Sequence, residues 1–226
     1  LVRKRPLAEA AVSAEISAGS WDDYRGMVDV TGPLTESGNV RGRLVLSEHD
    51  KGYYYDGGGK RESNQVYGIV DIDLTPDTVW TIGASNQNTD IHGAQRSLPA
   101  FLYTGSDGKP AMSLPDVSRK NFYGANWNRD YFWSTSVFTE LEHHLGGDWK
   151  TKLSVRHADN NYDLTQAYAR NGLGIDPADN LVSMNSVMFD YREKQDEVDL
   201  YADGPFSLFG REHKLLVGTN YSRSEF

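Results

Sequence analysis

Asp71-Ile72-Asp73-Leu74-Thr75 is the first place where residue types and spacing suggest a reaction. In a D-x-D-x-T pattern the first aspartate attacks phosphorus and the second handles protons. That chemistry needs the end of a parallel strand in an α/β fold, with helices following. Here Val70, Ile72 and Leu74 enclose the two aspartates in strict alternation, and Thr75-Pro76-Asp77-Thr78 reads as a turn. The pair is therefore read as two carboxylates on one face of a strand, just before the chain reverses. The histidines (His49, His92, His143, His144, His157 and His213) form no H-E-x-x-H, and adjacent His143 and His144 would point to opposite faces of a strand. No P-loop, G-x-G-x-x-G or G-x-S-x-G occurs, and the absence of cysteine removes thiolate chemistry and disulfides. The sequence offers no catalytic residue and no metal site.

The segment Ile91–Arg129 offers binding instead. It carries Tyr103, Phe122, Tyr123 and Trp127 together with Arg96, Arg119 and Lys120. Aromatic walls with a few cationic or hydroxyl donors suit a bulky ligand that has apolar faces and carbonyl acceptors. Trp127 and Tyr123 are the leading candidates for ligand contact, followed by Tyr131, Arg96 and Tyr103. Tyr53, Tyr54 and Tyr55, in an earlier loop, join that pocket or cap its rim.

The elements that must hold these residues have period two. In 149–158, Trp149, Thr151, Leu153 and Val155 share one face; Lys150, Lys152, Ser154 and Arg156 share the other. Before it, Tyr131, Trp133, Val137, Leu141 and Leu145 lie on one face, and Ser134, Ser136, Glu140 and Glu142 on the other, with Phe138 as the exception. Gly146-Gly147-Asp148 closes a hairpin in which Leu145 faces Trp149, Leu141 faces Leu153 and Glu142 faces Lys152. The same alternation recurs at Val12–Ala18, Val28–Thr31, Arg43–Ser47, Val70–Leu74, Trp80–Ser85, Glu197–Asp203 and Leu215–Val217. About nine strands follow, many near the ten residues that a barrel strand needs to cross a membrane. A short helix over 163–170, N-capped by Asp163, is the one departure.

Composition bounds what such a chain can be. Of 226 residues 38% are hydrophobic, 12% aromatic and 24% charged, and the mean hydropathy is −0.60. No run is long enough for a membrane helix, and the aromatic content is too high for a disordered chain. A net charge of −9 argues against a phosphate-binding surface and against nucleic acid as a partner. Leu1-Val2-Arg3-Lys4-Arg5-Pro6 lacks the apolar core of a signal peptide, and Phe226 stops inside a strand-like pattern, so the chain is expected to be a piece of a longer protein.

Alternation alone leaves the solvent of each face open. In a soluble β-sandwich the apolar face is the core; in a membrane barrel it meets lipid and the polar face lines the lumen. Strand length favours the barrel. Loop asymmetry does too: short turns at Leu34–Asn39, Thr75–Thr78, Gly146–Asp148 and Gly204–Glu212, against long connections at Lys51–Gln65, Asn88–Arg129 and Asn160–Ser183, with only the first connection on that side, around Ser20-Trp21-Asp22, tight. The aromatics at strand ends, Trp80, Trp149, Tyr131 and Trp133, point the same way. On that reading Leu153→Arg is disruptive, whereas Lys152→Ala matters little for folding.

In their order, several short signatures resemble the TonB-dependent outer-membrane receptors of the hydroxamate, coprogen and pyoverdine branch. These are Leu1–Pro6, Ser17-Ala18-Gly19-Ser20-Trp21-Asp22-Asp23-Tyr24-Arg25, Val30-Thr31-Gly32-Pro33-Leu34, Asp73–Thr78 leading into Ile82-Gly83-Ala84-Ser85, and Asn126-Trp127-Asn128. The resemblance implies an all-β, antiparallel, up-and-down transmembrane barrel, of which this chain is an incomplete part; the family's full barrel has about 22 strands. Residues 1–10 would be the end of the plug and its linker, and 11–226 the first part of the barrel with its extracellular loops. Short turns would be periplasmic. The implied activity is import of ferric siderophores, energised through TonB, with the plug and TonB-contacting segment upstream. Iron would be present only within the bound siderophore, no cofactor is implied, and the remaining partner is outer-membrane lipid. Two rivals stay open: a passive porin or adhesin-type barrel, and a soluble β-sandwich binding module.

Overall fold

The computed structural model describes residues 3–57, 59–95, 100–113, 116–169 and 183–226. An extended segment, residues 3–10, leads into β1 (Ala11–Gly19), β2 (Asp23–Pro33), β3 (Val40–Gly52), β4 (Lys60–Thr75) and β5 (Thr78–His92). A small ribbon of β6 (Phe101–Thr104) and β7 (Pro110–Ser113) interrupts the series before β8 (Arg129–Leu145), β9 (Trp149–Ala169), β10 (Met184–Leu208) and β11 (Arg211–Glu225). Among the described residues, the ribbon strands pair only with each other. The remaining nine form one antiparallel sheet in chain order, and the sheet does not close on itself. No helix of the described residues is long and apolar enough to cross a membrane.

Turn chemistry sets the register. Phe209 and Gly210 both have positive φ (53° and 72°), the two-residue turn whose twist matches that of the flanking strands, and it fixes Leu208 opposite Arg211. The three-residue loop 146–148 puts Gly147 and Asp148 in the left-handed region and fixes Leu145 opposite Trp149, Leu141 opposite Leu153 and Glu142 opposite Lys152, as the alternation predicts. From there the register carries one row across seven strands: Val40, Ile72, Trp80, Leu141, Leu153, Leu200 and Thr219. On the same face, toward the long connections, another row reads Ala18, Tyr24, Asp50, Glu62, Asp90, Tyr131, Asp163 and Asp190. The face changes from greasy to acidic along the strands. Strands of 21 and 25 residues (β9 and β10) are therefore long enough to cross a hydrocarbon layer and continue beyond it into water.

Burial separates the two candidate architectures. The greasy face is open: Leu44 is 45% and Val137 50% exposed. The charged face is covered: Asp71 is 4% and Glu140 3% exposed. A soluble sandwich requires the opposite, because its apolar faces must bury each other. Phe138, the apolar exception on the charged side, is explained by Gly83 directly opposite it in the register. The absent side chain lets the Phe138 ring lie over the Gly83 backbone, where a Cβ would overlap it. Tyr67 stacks on Phe138 with centroids 6.5 Å apart.

The expected helix over 163–170 does not form within the described residues. Residues Asp163–Ala169 continue β9, paired with β10 from Asp190 to Met184. Local helix propensity yields because β10 pairs with the stretch along its whole described length, and because Leu164 and Gln166 are buried by staying on the alternating face. Arg170 lies outside the described residues.

Candidate functional site

Alternation places Asp29 of β2, Arg43 of β3, Asp71 of β4, Thr81 of β5, Glu140 of β8 and Lys152 of β9 on one face, and residues 3–7 lie across it. Arg3 forms an ion pair with Glu140 and places its guanidinium 4.0 Å over the Phe138 ring. Lys4 Nζ is 3.1 Å from Asp29, which also receives Arg43 Nε and Nη2 at 2.8 and 2.6 Å. Arg5 bridges Asp71 (3.0 Å) and Glu140 (3.3 Å). The backbone is held as well: Arg43 donates to the Arg5 carbonyl (2.8 Å), the Tyr67 hydroxyl to the Lys4 carbonyl (3.0 Å), and Leu7 N–H to Thr31 Oγ1 (2.9 Å). Asp71, the first aspartate of the D-x-D-x-T pattern, accepts from Thr81 (2.8 Å), while Asp73 forms a two-pronged pair with Arg41 at 2.5 and 2.6 Å. Both carboxylates are thus engaged by fixed cations, which suits a structural role and leaves no free nucleophile.

At the long-loop end an aromatic stack joins three connections. The rings of Tyr53 and Tyr55 are 5.1 Å apart and nearly parallel, and Phe122 lies on Tyr55 at 5.7 Å. Tyr54 meets Tyr55 edge-on, and Trp21, from the β1–β2 turn, meets Tyr54 at 6.4 Å. The Tyr55 hydroxyl donates to the Gly93 carbonyl (3.2 Å), and Asp56 N–H donates to the Lys120 carbonyl (2.6 Å). Burial pushes the Tyr55 phenol up to about 12 and raises that of Tyr53. Both hydroxyls therefore stay neutral donors across any physiological pH.

The predicted contact residues are dispersed. Tyr123 is in the long connection, its N–H bonded to Gln95 Oε1 (2.7 Å) and its hydroxyl to Asn121 (2.9 Å). Trp127 is half exposed beside the buried Asn128. Tyr103 sits on β6 of the separate ribbon, also half exposed. Tyr131 does not join the charged face: its register puts it on the opposite side, in the acidic row, with the Arg129 guanidinium 5.3 Å from its ring and Arg129 paired to Asp90. Arg96 lies outside the described residues. Sequence reading missed Gln95, Asn121 and Asn128 as organisers of this end, although Asn126-Trp127-Asn128 marked the place. Among the described residues no three His, Asp or Glu side chains converge as a metal site.

No protein-family model matches the chain. It is 38% identical over its full length to the ferripyoverdine receptor of Pseudomonas aeruginosa, and 39% identical over 99% of its length to the ferric-pyoverdine BN7/BN8 receptor of Pseudomonas putida. The chain spans 27% and 26% of those relatives, about a quarter of their length. The crystal structure of the P. aeruginosa outer-membrane ferripyoverdine receptor bound to ferripyoverdine superposes with a TM-score of 0.84, covering 98% of this chain and 28% of that one.

Proposed function

We propose, for a chain that belongs by sequence and by fold with the barrels of outer-membrane ferripyoverdine receptors of the TonB-dependent type, that it supplies part of the wall and mouth of a ferric-siderophore transporter. The supporting observation is the inverted burial, a greasy face open to its surroundings and a charged face covered, which suits hydrocarbon outside and a plugged, wet lumen inside. On this reading the long connections and the stack of Tyr53, Tyr55 and Phe122 lie at the outer mouth. Trp127, Tyr123 and Tyr103 face an iron chelate of the pyoverdine class there. Residues 1–10 are the tail of a plug whose displacement TonB drives, and Arg3, Lys4 and Arg5 moor that tail to the wall through Asp29, Asp71 and Glu140. Iron is cargo carried within the siderophore, and the protein is a transporter rather than an enzyme.

The test is a deletion of the full-length gene in its own host. Growth on ferric pyoverdine as sole iron source should be lost, and should return only when both the gene and TonB are present. Uptake that persists without TonB would favour a passive barrel, and retention of growth in the deletion strain would overturn the substrate assignment.

A further inference from the structure

Asn128 is 1% exposed and uses all of its hydrogen-bonding groups. Its Nδ2 donates to the carbonyls of Ala94 (2.8 Å) and Ala167 (3.0 Å), and its Oδ1 accepts from Ala167 N–H (2.7 Å). Its backbone N–H reaches the Ala125 carbonyl, and its carbonyl accepts from Gly93 N–H (2.7 Å). The location explains the pattern. β8 begins at Arg129, opposite Thr165 of β9, so the next bonded position of the ladder falls at Ala167. The chain turns away there, and the Asn128 amide takes the place that a peptide group would have filled. The same side chain then reaches the exit of β5 at Ala94. Gly93, tied to its backbone, receives the Tyr55 hydroxyl.

We infer that Asn128 is a positioning residue for the mouth: its amide closes the neck of the 93–128 connection against β9 and so fixes where the connection's side chains meet a ferric siderophore. Only the last clause rests on the transport reading; the closed neck stands on geometry alone. An Asp at this position keeps the acceptor for Ala167 N–H but loses both donations, whereas Ala loses all three bonds.

The experiment uses the full-length receptor in detergent, with Asn128→Ala, Asn128→Asp and, as a control, the exposed neighbour Asn126→Ala. Hydrogen exchange should accelerate at least tenfold at Gly93 and Ala167 in Asn128→Ala, and at Gly93 but less at Ala167 in Asn128→Asp. The mobility of the unboiled barrel on a gel should not change. The Kd for ferric pyoverdine should rise about tenfold in Asn128→Ala with an intermediate value for Asp. Unchanged exchange and Kd in a folded Asn128→Ala would overturn the inference. So would a loss of the folded barrel in both Asn128 variants, which would make the residue a general fold determinant. If wild type binds no ferric siderophore, the transport reading fails, and the exchange pattern still decides whether Asn128 closes the neck.

Discussion

Lys152 stands opposite Glu142 in the β8–β9 register, yet its ammonium lies 2.6 Å from Glu140, one step diagonally away. Glu140 is buried and also receives Arg3 and Arg5, so it is the acceptor on which a cation of β9 and two cations of the leading segment converge. Glu142 turns to His144 instead, at 3.4 Å.

Glu140→Gln should destabilise the refolded barrel by about 3–5 kcal/mol, since it removes the carboxylate that pairs Arg3 and Lys152 at a covered site and one of the two that hold Arg5. Glu142→Gln should cost no more than about 1 kcal/mol, the range of exposed pairs. Denaturant titrations in detergent compare the two; equal effects would refute the assignment of Glu140 as the hub. For the same reason Lys152→Ala is no longer expected to be silent.

Leu153→Arg, in the apolar row, should cost roughly 2–4 kcal/mol in a bilayer refolding assay if the row lies near mid-membrane. In a detergent-free aqueous refolding assay no such penalty has a physical source. A variant that folds into vesicles as well as wild type would contradict hydrocarbon contact.

Gly83→Ala should destabilise by about 1–3 kcal/mol, because its methyl group meets the Phe138 ring. Combining it with Phe138→Ala should cost less than the sum of the two single changes, a coupling of about 0.5–3 kcal/mol in a double-mutant cycle. Strict additivity would show that the ring does not rest on the glycine.

Alkaline titration followed by tyrosinate absorbance should show Tyr55 ionising well above an ordinary phenol. Its phenol is raised from 10.0 to about 12, so folding favours the neutral form. The stability this confers is complete below pH 10 and lost as pH rises through 12. Tyr55→Phe should delete an ionisation step near 12; deletion of one near 10 would show that the phenol is not buried in solution.

Much of this was written in short-range pattern. The pairing of Leu141 with Leu153 follows from a glycine turn and a period of two, and so did the side on which Tyr131 falls: it has the parity of Trp133, Val137 and Leu141, which already placed it away from the charged face. The 163–169 stretch misled because Leu, Gln and Ala favour a helix until a neighbouring strand offers partners. The mooring of Arg3 to Glu140 joins residues 137 positions apart, and no local periodicity encodes such a contact. Asn128 was visible only as part of an Asn-Trp-Asn triplet. Its role needs β9 to be longer than its alternation suggested, so that Ala167 comes within reach.

The closed neck at Asn128 has an evolutionary corollary. Because both ends of the connection are tied off at the rim, the stretch between Gln95 and Trp127 can lengthen, shorten or change its chemistry without disturbing strand pairing below. On the transport reading, exchanging that stretch between relatives should alter ligand preference while leaving the barrel wall intact.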